Sequence, residues 1–222
     1  MKRLDAEEAA PIVDRMLAQL LATVPSKGRL GSDARTAIGD TRANAFKLCI
    51  SDTLGPPLDQ CFELARLAGT SSTQINHVRE QIEQEAPATL GGALVMNCGI
   101  RLCLATQCHI IASMSFVSRQ DVDALKQQLL QPFQDAEEIA ADEMDQMTFQ
   151  ALVALHGTVT NHLVATARPL PRMLNYQFFE PLPSLVMAYK LYDDASRCDE
   201  LRAENKIVHP AFCPMAGQAL SS

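Results

Sequence analysis

The sequence predicts an all-α protein, and three observations carry that expectation. Tryptophan is absent and aromatic residues make up only 5% of the 222, whereas Ala, Leu, Gln and Met are plentiful, a mixture that favours helices over sheets. Apolar residues recur at helical spacing along most of the chain. Turn residues such as Gly55-Pro56-Pro57, Gly91-Gly92 and Pro169-Leu170-Pro171 punctuate the periodic stretches. The expected architecture is an elongated helical bundle with a central apolar helix, one or two long helices and a C-terminal helical hairpin. Residues 1–170 would form the bundle. Residues 171–222 would form an extended connector, two short helices and a tail packed on it.

Residues 4–24 place Ile12, Val13, Met16, Leu17, Leu20 and Val24 on one helical face, and the turn residues from Pro25 to Ser32 end it. A second helix is expected from a Ser32-Asp33 cap to about Leu54, stopped by Gly55-Pro56-Pro57. A third covers about Leu58 to Ala68. Ser71 to Glu85 is polar apart from Ile75, Val78 and Ile82, so it reads as a solvent-facing helix lying on something larger. Ala93 to about Phe116 is apolar nearly all round and should occupy the centre of a bundle. Its Asn97, Arg101, Gln107 and His109 argue against a membrane span.

Ser118-Arg-Gln-Asp121 resembles a capping box with Asp in the usual Glu position. A long stripe follows from Val122 through Phe133, Met144, Met147, Leu152 and His156 to Leu163. Pro132 interrupts it and should kink or split the helix. Unbroken, residues 119–167 would approach roughly 75 Å at ~1.5 Å per residue. Residues 172–182 have no helical period and read as an extended connector. Pro183 suits a first helical position, with Leu185, Ala188, Tyr189 and Tyr192 as the apolar face. Ser196 to Asp199 should cap a last helix reaching about Asn205, and His209 onward reads as a loop. No strand pair is expected.

The net charge of -7 argues against wrapping a phosphate backbone, so DNA contact is not expected. The first residues carry charge without an apolar run behind them, so no signal peptide is expected. Seven cysteines, an odd number, suggest reduced thiols in a cytoplasmic product.

The most tempting chemistry is Cys98, Cys103, Cys108 and His109. Metal ligands must converge on one point, yet a spacing of five rotates a helix by about 140°, so the thiols diverge. His156 falls on the apolar stripe and reads as a hydrogen-bonded core residue. The acidic clusters at Asp135–Glu138 and Asp142–Asp145 lack the Glu-x-x-His pattern of di-metal bundles. Gly91-Gly92 before a helix reads as a turn, with anion binding as the alternative. No catalytic, cofactor-binding or metal-ligating residue is nominated, no cofactor is expected, and no reaction class emerges.

One long phrase does carry information. Leu182-Pro-Ser-Leu-Val-Met-Ala-Tyr-Lys-Leu-Tyr-Asp-Asp-Ala195 is followed by Ser-Arg-Cys-Asp-Glu-Leu201, then Asn205, His209-Pro-Ala-Phe212 and Pro214. It resembles the closing signature of the Mu-like phage DNA circulation proteins. Ser118–Asp121 and the Ala167–Pro171 stop are similar to that family too. The resemblance covers roughly the last hundred residues. It departs at Asp193 and Ala211, where the family usually has Gly, and the family's β-rich N-terminal domain has no counterpart in these residues.

The resemblance implies a non-enzymatic structural component of a Mu-like phage tail, near the baseplate hub, acting in tail assembly through protein–protein contacts. A helical tail-assembly chaperone or adaptor that leaves before maturation is the alternative. Its implied partners are the tape measure, the baseplate hub and copies of itself with the symmetry of the tail. No membrane partner is implied. Its implied location is the virion, reached from the host cytoplasm. Tyr176, Phe178, Phe179, Tyr189, Tyr192 and Phe212 are the candidate subunit-contact residues, because aromatics favour interfaces. The alternative is that the tyrosines dock a C-terminal helical hairpin, with Phe212 covering their face.

Overall fold

In the computed structural model, which describes residues 1–221, ten α-helices account for most of the chain and the only sheet has two strands. The fold is mostly all-α. The chain divides into two compact units, 1–114 with 131–159, and 115–130 with 160–222. The division therefore does not fall at residue 170.

In unit 1, α1 (Arg3–Thr23) buries the expected stripe, with Ala6 and Ala9 extending it. It packs on α6 (Leu90–Ile111), the apolar helix, and on α5 (Ser72–Ile82). By length and composition alone α6 could cross a membrane, but here it is a core helix whose Val95, Ile100, Cys103, Leu104 and Ile111 are buried. It begins earlier than expected, because Thr89 accepts from the Gly92 amide and the glycine pair lies inside the first turn.

That pair has a packing reason. A Cβ on Gly91 would lie 2.5 Å from the Asp5 Cβ, and one on Gly92 2.7 Å from a Glu8 oxygen. The Glu8 carboxylate accepts from the Ala88 amide at 2.8 Å, the Thr89 amide at 2.7 Å and the Thr89 hydroxyl. The anion at this helix start is thus supplied by α1 itself. These bonds, the Thr89 hydroxyl first, hold Glu8 below the usual carboxylate range.

Between α1 and α5 lie three short helices. The expected second helix is two: α2 (Arg29–Ala43) and α3 (Ala45–Ser51). Its start is Gly28 in the left-handed region (φ 95°) rather than Ser32-Asp33, and the break falls at Asn44, whose amide donates back to the Asp40 carbonyl. Asp52 in the left-handed conformation ends α3. Pro56 and Pro57 then open α4 (Gly55–Leu67) instead of stopping its predecessor, since a first turn has no partner for the amides that proline lacks. Arg42 and Asp14 (2.7 Å) and Arg15 and Glu85 (2.6 Å) tie α1 to its neighbours.

Helix α5 starts on a capping box between Ser71 and Gln74. It buries Ile75, Val78 and Ile82 but also Asn76 and Arg79, which a solvent-facing reading misses. Gln107 of α6, fully buried, donates to the Ser72 carbonyl at 3.3 Å, and Arg79 donates to Asn76 at 3.0 Å and to Glu83. Asn76 and Arg79 thus pair mainly along α5 itself, and the buried Arg79 Nε and Gln107 Oε1 have no partner among the described residues.

The long stripe forms two helices, α7 (Arg119–Asp142) and α8 (Gln146–Ala167). The expected split at Pro132 is displaced. The helix runs through the proline, and the chain turns at Glu143–Asp145 with Met144 left-handed (φ 56°). Asp145 caps α8 by accepting from the Thr148 amide at 3.1 Å, while Glu143 accepts from Asn97 (2.8 Å) and Arg101 (2.6 Å) of α6. Met144 and Met147, expected on the apolar stripe, are consequently exposed. His156 stacks on Phe133 (centroids 4.7 Å apart) and bonds Glu137 at 3.0 Å, the satisfied position its spacing suggested.

Unit 2 corrects the expectation of no strands. β1 (Met173–Gln177) pairs antiparallel with β2 (Ala216–Leu220), Tyr176 opposite Gly217. The expected connector and the expected tail loop are therefore the two halves of one ribbon. Between them lie α9 (Ser184–Tyr192), a 3-10 turn at Ala195–Arg197 capped by Asp194, and α10 (Cys198–Glu204). Tyr176, Met187, Leu201, Cys213 and Ala219 form the core, with Phe178, Leu182, Leu191, Tyr192 and Ile207 packed around it.

Candidate interaction surface

The face that α9 turns to the core is Ser184, Met187 and Ala188, continued by Leu191 and Tyr192. The expected face through Leu185 and Tyr189 is wrong by one stripe. Both residues are more than half exposed. The sequence Ser-Leu-Val-Met-Ala-Tyr-Lys-Leu-Tyr is apolar on nearly every side, so periodicity alone does not choose.

The six aromatic contact candidates separate accordingly. Tyr176 is buried and Phe178 and Tyr192 are half-buried, all three within the unit 2 core. Tyr176 and Phe178 meet at 5.6 Å, and the Arg197 guanidinium lies 3.9 Å from the Tyr192 ring centroid. Burial pushes both tyrosine hydroxyls up. All three are thus packed in or against the interior of unit 2. Phe179, fully exposed, Tyr189 and Phe212 are on the surface. Phe212 lies beside His209, the rings tilted with centroids 5.4 Å apart, and is 73% exposed, so it does not cover a helix face. With Leu185, Val208 and Met215 they give unit 2 its exposed apolar residues on α9 and the segments flanking the strands.

The segment His209–Pro214 is held where α9 begins. The Ser184 amide donates to the Pro210 carbonyl at 2.7 Å, and the Cys213 amide to the Leu182 carbonyl at 3.2 Å. The two ends of the long sequence phrase thus bond to each other. Asp193 stands at the end of α9 in the left-handed conformation (φ 56°), a position that favours glycine. Ala211 is not among the residues with positive φ, so its methyl meets no such strain.

Two residues that spacing did not single out hold the ribbon. The Asn205 side-chain amide donates to the Gln218 carbonyl (2.7 Å) and accepts from the Gln218 amide (2.8 Å), completing one edge of β2. The Gln120 side chain does the same for Met173 of β1, at 3.0 and 2.7 Å. Beside it, Arg119 donates to the carbonyls of Ala167, Arg168 and Leu170, where α8 ends without a basic residue of its own. The Ser118–Asp121 box forms as read, Ser118 and Asp121 each accepting from the other's amide.

The cysteines of α6 stay apart from such work. Cys103 is fully buried, Cys108 nearly so, and His109 is exposed. Burial raises all three α6 thiols, Cys108 to about 12. Among the described residues no three His, Cys, Asp or Glu side chains are grouped to hold a metal ion.

No protein-family model matches the chain, and no curated protein matches it either. The functional reading therefore rests on the residues themselves.

Proposed function

We propose that this chain is a structural component of a Mu-like phage tail, positioned near the baseplate hub and acting in tail assembly through protein–protein contacts. The observation that carries the reading is the long ordered phrase from Leu182 to Pro214. Its residues behave as a unit: Met187, Leu201 and Cys213 share one core, Asn205 secures β2, and the phrase's first and last segments bond to each other. The apolar residues not used in that packing, Tyr189 and Phe212 within the phrase and Phe179 just before it, are left outside. Tyr189, Phe179 and Phe212 are then the contact residues of the original six, offered to the tape measure, the hub or further copies of the chain. The role is assembly rather than catalysis.

Mass spectrometry of tail particles purified from the encoding phage tests this. The chain is expected in finished tails at a fixed ratio to the hub. Its absence from tails and from every assembly intermediate would overturn the reading, while presence in intermediates alone would favour the chaperone.

A further inference from the structure

A two-stranded sheet has two outer edges, each a row of backbone donors and acceptors open to another strand. Which groups face outward follows from the ladder. The Ser221 amide donates to the Arg172 carbonyl (2.7 Å) and the Phe178 amide to the Met215 carbonyl (2.6 Å). Antiparallel pairing alternates, so the even-numbered residues of β1 face β2, while Met173, Asn175 and Gln177 face away. Side-chain amides occupy part of both edges: Asn205 fills the centre of β2 at Gln218, and Gln120 fills the first position of β1 at Met173. Asn175 and Gln177 are exposed, and their outward peptide groups are left open.

We propose that this edge pairs with the same edge of a second copy of the chain. The pairing is antiparallel across a two-fold axis, with Asn175 opposite Gln177 of the other copy. Four peptide hydrogen bonds form at the centre of a four-stranded sheet. The register is selected by what each edge still offers. Sliding one way sets Asn175 against itself and requires Met173, whose peptide Gln120 already holds. Sliding the other way requires residue 179, after β1 has ended.

Charge favours the same occupant and the same register. Residues 173–177 carry no charge, so two copies meet there without repulsion. Their flanks are Arg172 and Glu180, and this register brings Arg172 of each copy to the end where Glu180 of the other leaves the strand. Both are exposed, and the ion pairs within unit 2 (Lys126–Asp123, Arg197–Glu200 and Arg202–Asp199) leave both uncommitted. Unit 2 as a whole has eight Lys and Arg against eight Asp and Glu, so two copies of it approach without net repulsion. The inference goes beyond the tail reading, because a two-fold contact joins like surfaces whereas the copies of a ring meet head to tail; it needs no phage, since the edge belongs to the chain alone. A dimer absent from tails would leave it standing.

Sedimentation velocity of the full chain over a concentration series tests it. The wild type is expected to dimerise. Gln177→Pro removes an outward amide without touching a bond to β2, and is expected to give a monomer of unchanged helicity. Arg172→Glu and Glu180→Arg each place like charges together twice, and each is expected to weaken the dimer about tenfold or more. Arg172→Glu combined with Glu180→Arg is expected to restore it. Both positions are on the surface, so this exchange decides the matter even if the proline variant folds poorly. A wild type monomeric to roughly 100 µM would overturn the proposal. So would a dimer indifferent to the charge reversals, or a double reversal that fails to restore it.

Discussion

Unit 1 and unit 2 meet the same requirement, a closed core, with different materials. Unit 1 has eleven Lys and Arg against eighteen Asp and Glu, so it carries the whole net charge of the chain, whereas unit 2 is balanced. Unit 1 packs helices through small residues, such as Ala6 and Ala9 on α1 and Gly91 and Gly99 on α6, where a Cβ would strike the neighbouring helix. Unit 2 holds seven of the eleven aromatic residues in far fewer residues, and it closes its ribbon with the amides of Asn205 and Gln120. A smaller unit buries a smaller share of its surface. Apolar side chains in unit 2 therefore divide between a small interior, with Tyr176, Met187 and Leu201 at its centre, and a surface still rich in apolar groups. A closed core and an apolar surface are complementary outcomes of the same shortage of interior.

Core truncation is the strongest way to break this contrast. Leu104→Ala in unit 1 and Met187→Ala in unit 2 remove fully buried side chains and should each cost about 2–5 kcal/mol. Peptide-resolved hydrogen exchange should place the first effect in unit 1 and the second in unit 2. Faster exchange in both units from either change would mean that they are one cooperative body. Gly91→Ala should cost about 1–3 kcal/mol by thermal unfolding, because its methyl would meet the Asp5 Cβ. Asn205→Ala removes the surrogate strand from an exposed edge and should cost about 1–2 kcal/mol, with the Gln218 amide exchanging faster. Asp193→Gly should instead gain about 1 kcal/mol or less, by relieving a left-handed side chain. A loss on that substitution would show that the Asp193 side chain does something beyond occupying a turn.

The smallest effects are linked to pH, and they also divide between the units. Glu8, Asp14, Glu63, Glu85 and Asp145 of unit 1 are held below the usual carboxylate range, Glu8 and Asp145 mainly by Thr hydroxyls and the others by an arginine. In unit 2, Asp194 is held down by Ser196. A depressed carboxylate stabilises the fold above its unfolded value and loses that contribution as pH falls through the lower folded value. Acid below about pH 4.5 should thus loosen unit 1 more than unit 2. Exposure and screening keep each contribution small. Raised thiols act with the opposite sign. Cys108 contributes fully below about pH 9 and progressively less as pH climbs towards 12. Melting temperatures followed from pH 3 to 10 would show both flanks.

Much of unit 1 was legible in the sequence, and less of unit 2. The stripe from Ile12 to Leu20 and the apolar run of α6 are long enough for periodicity to decide. The breaks were harder: Asn44 and Glu143–Asp145 interrupt good helix formers, and the better-known breaker, Pro132, is absorbed. The ribbon escaped notice because Met-Leu-Asn-Tyr-Gln and Ala-Gly-Gln-Ala-Leu lack β-branched residues and are joined by no local turn. Gln120 had no distinguishing signal, and Asn205 stood out only as a member of the closing phrase without a role, since the partners of both are backbone groups settled only once β1 and β2 have paired.

All three tyrosines of the chain, Tyr176, Tyr189 and Tyr192, belong to unit 2, and there is no tryptophan. The protein therefore carries a built-in optical label. Its tyrosine emission originates in unit 2 alone, while most of its helical circular dichroism comes from unit 1. Recording both signals on the unmodified chain during one melt would separate the two parts without a dye or an added residue.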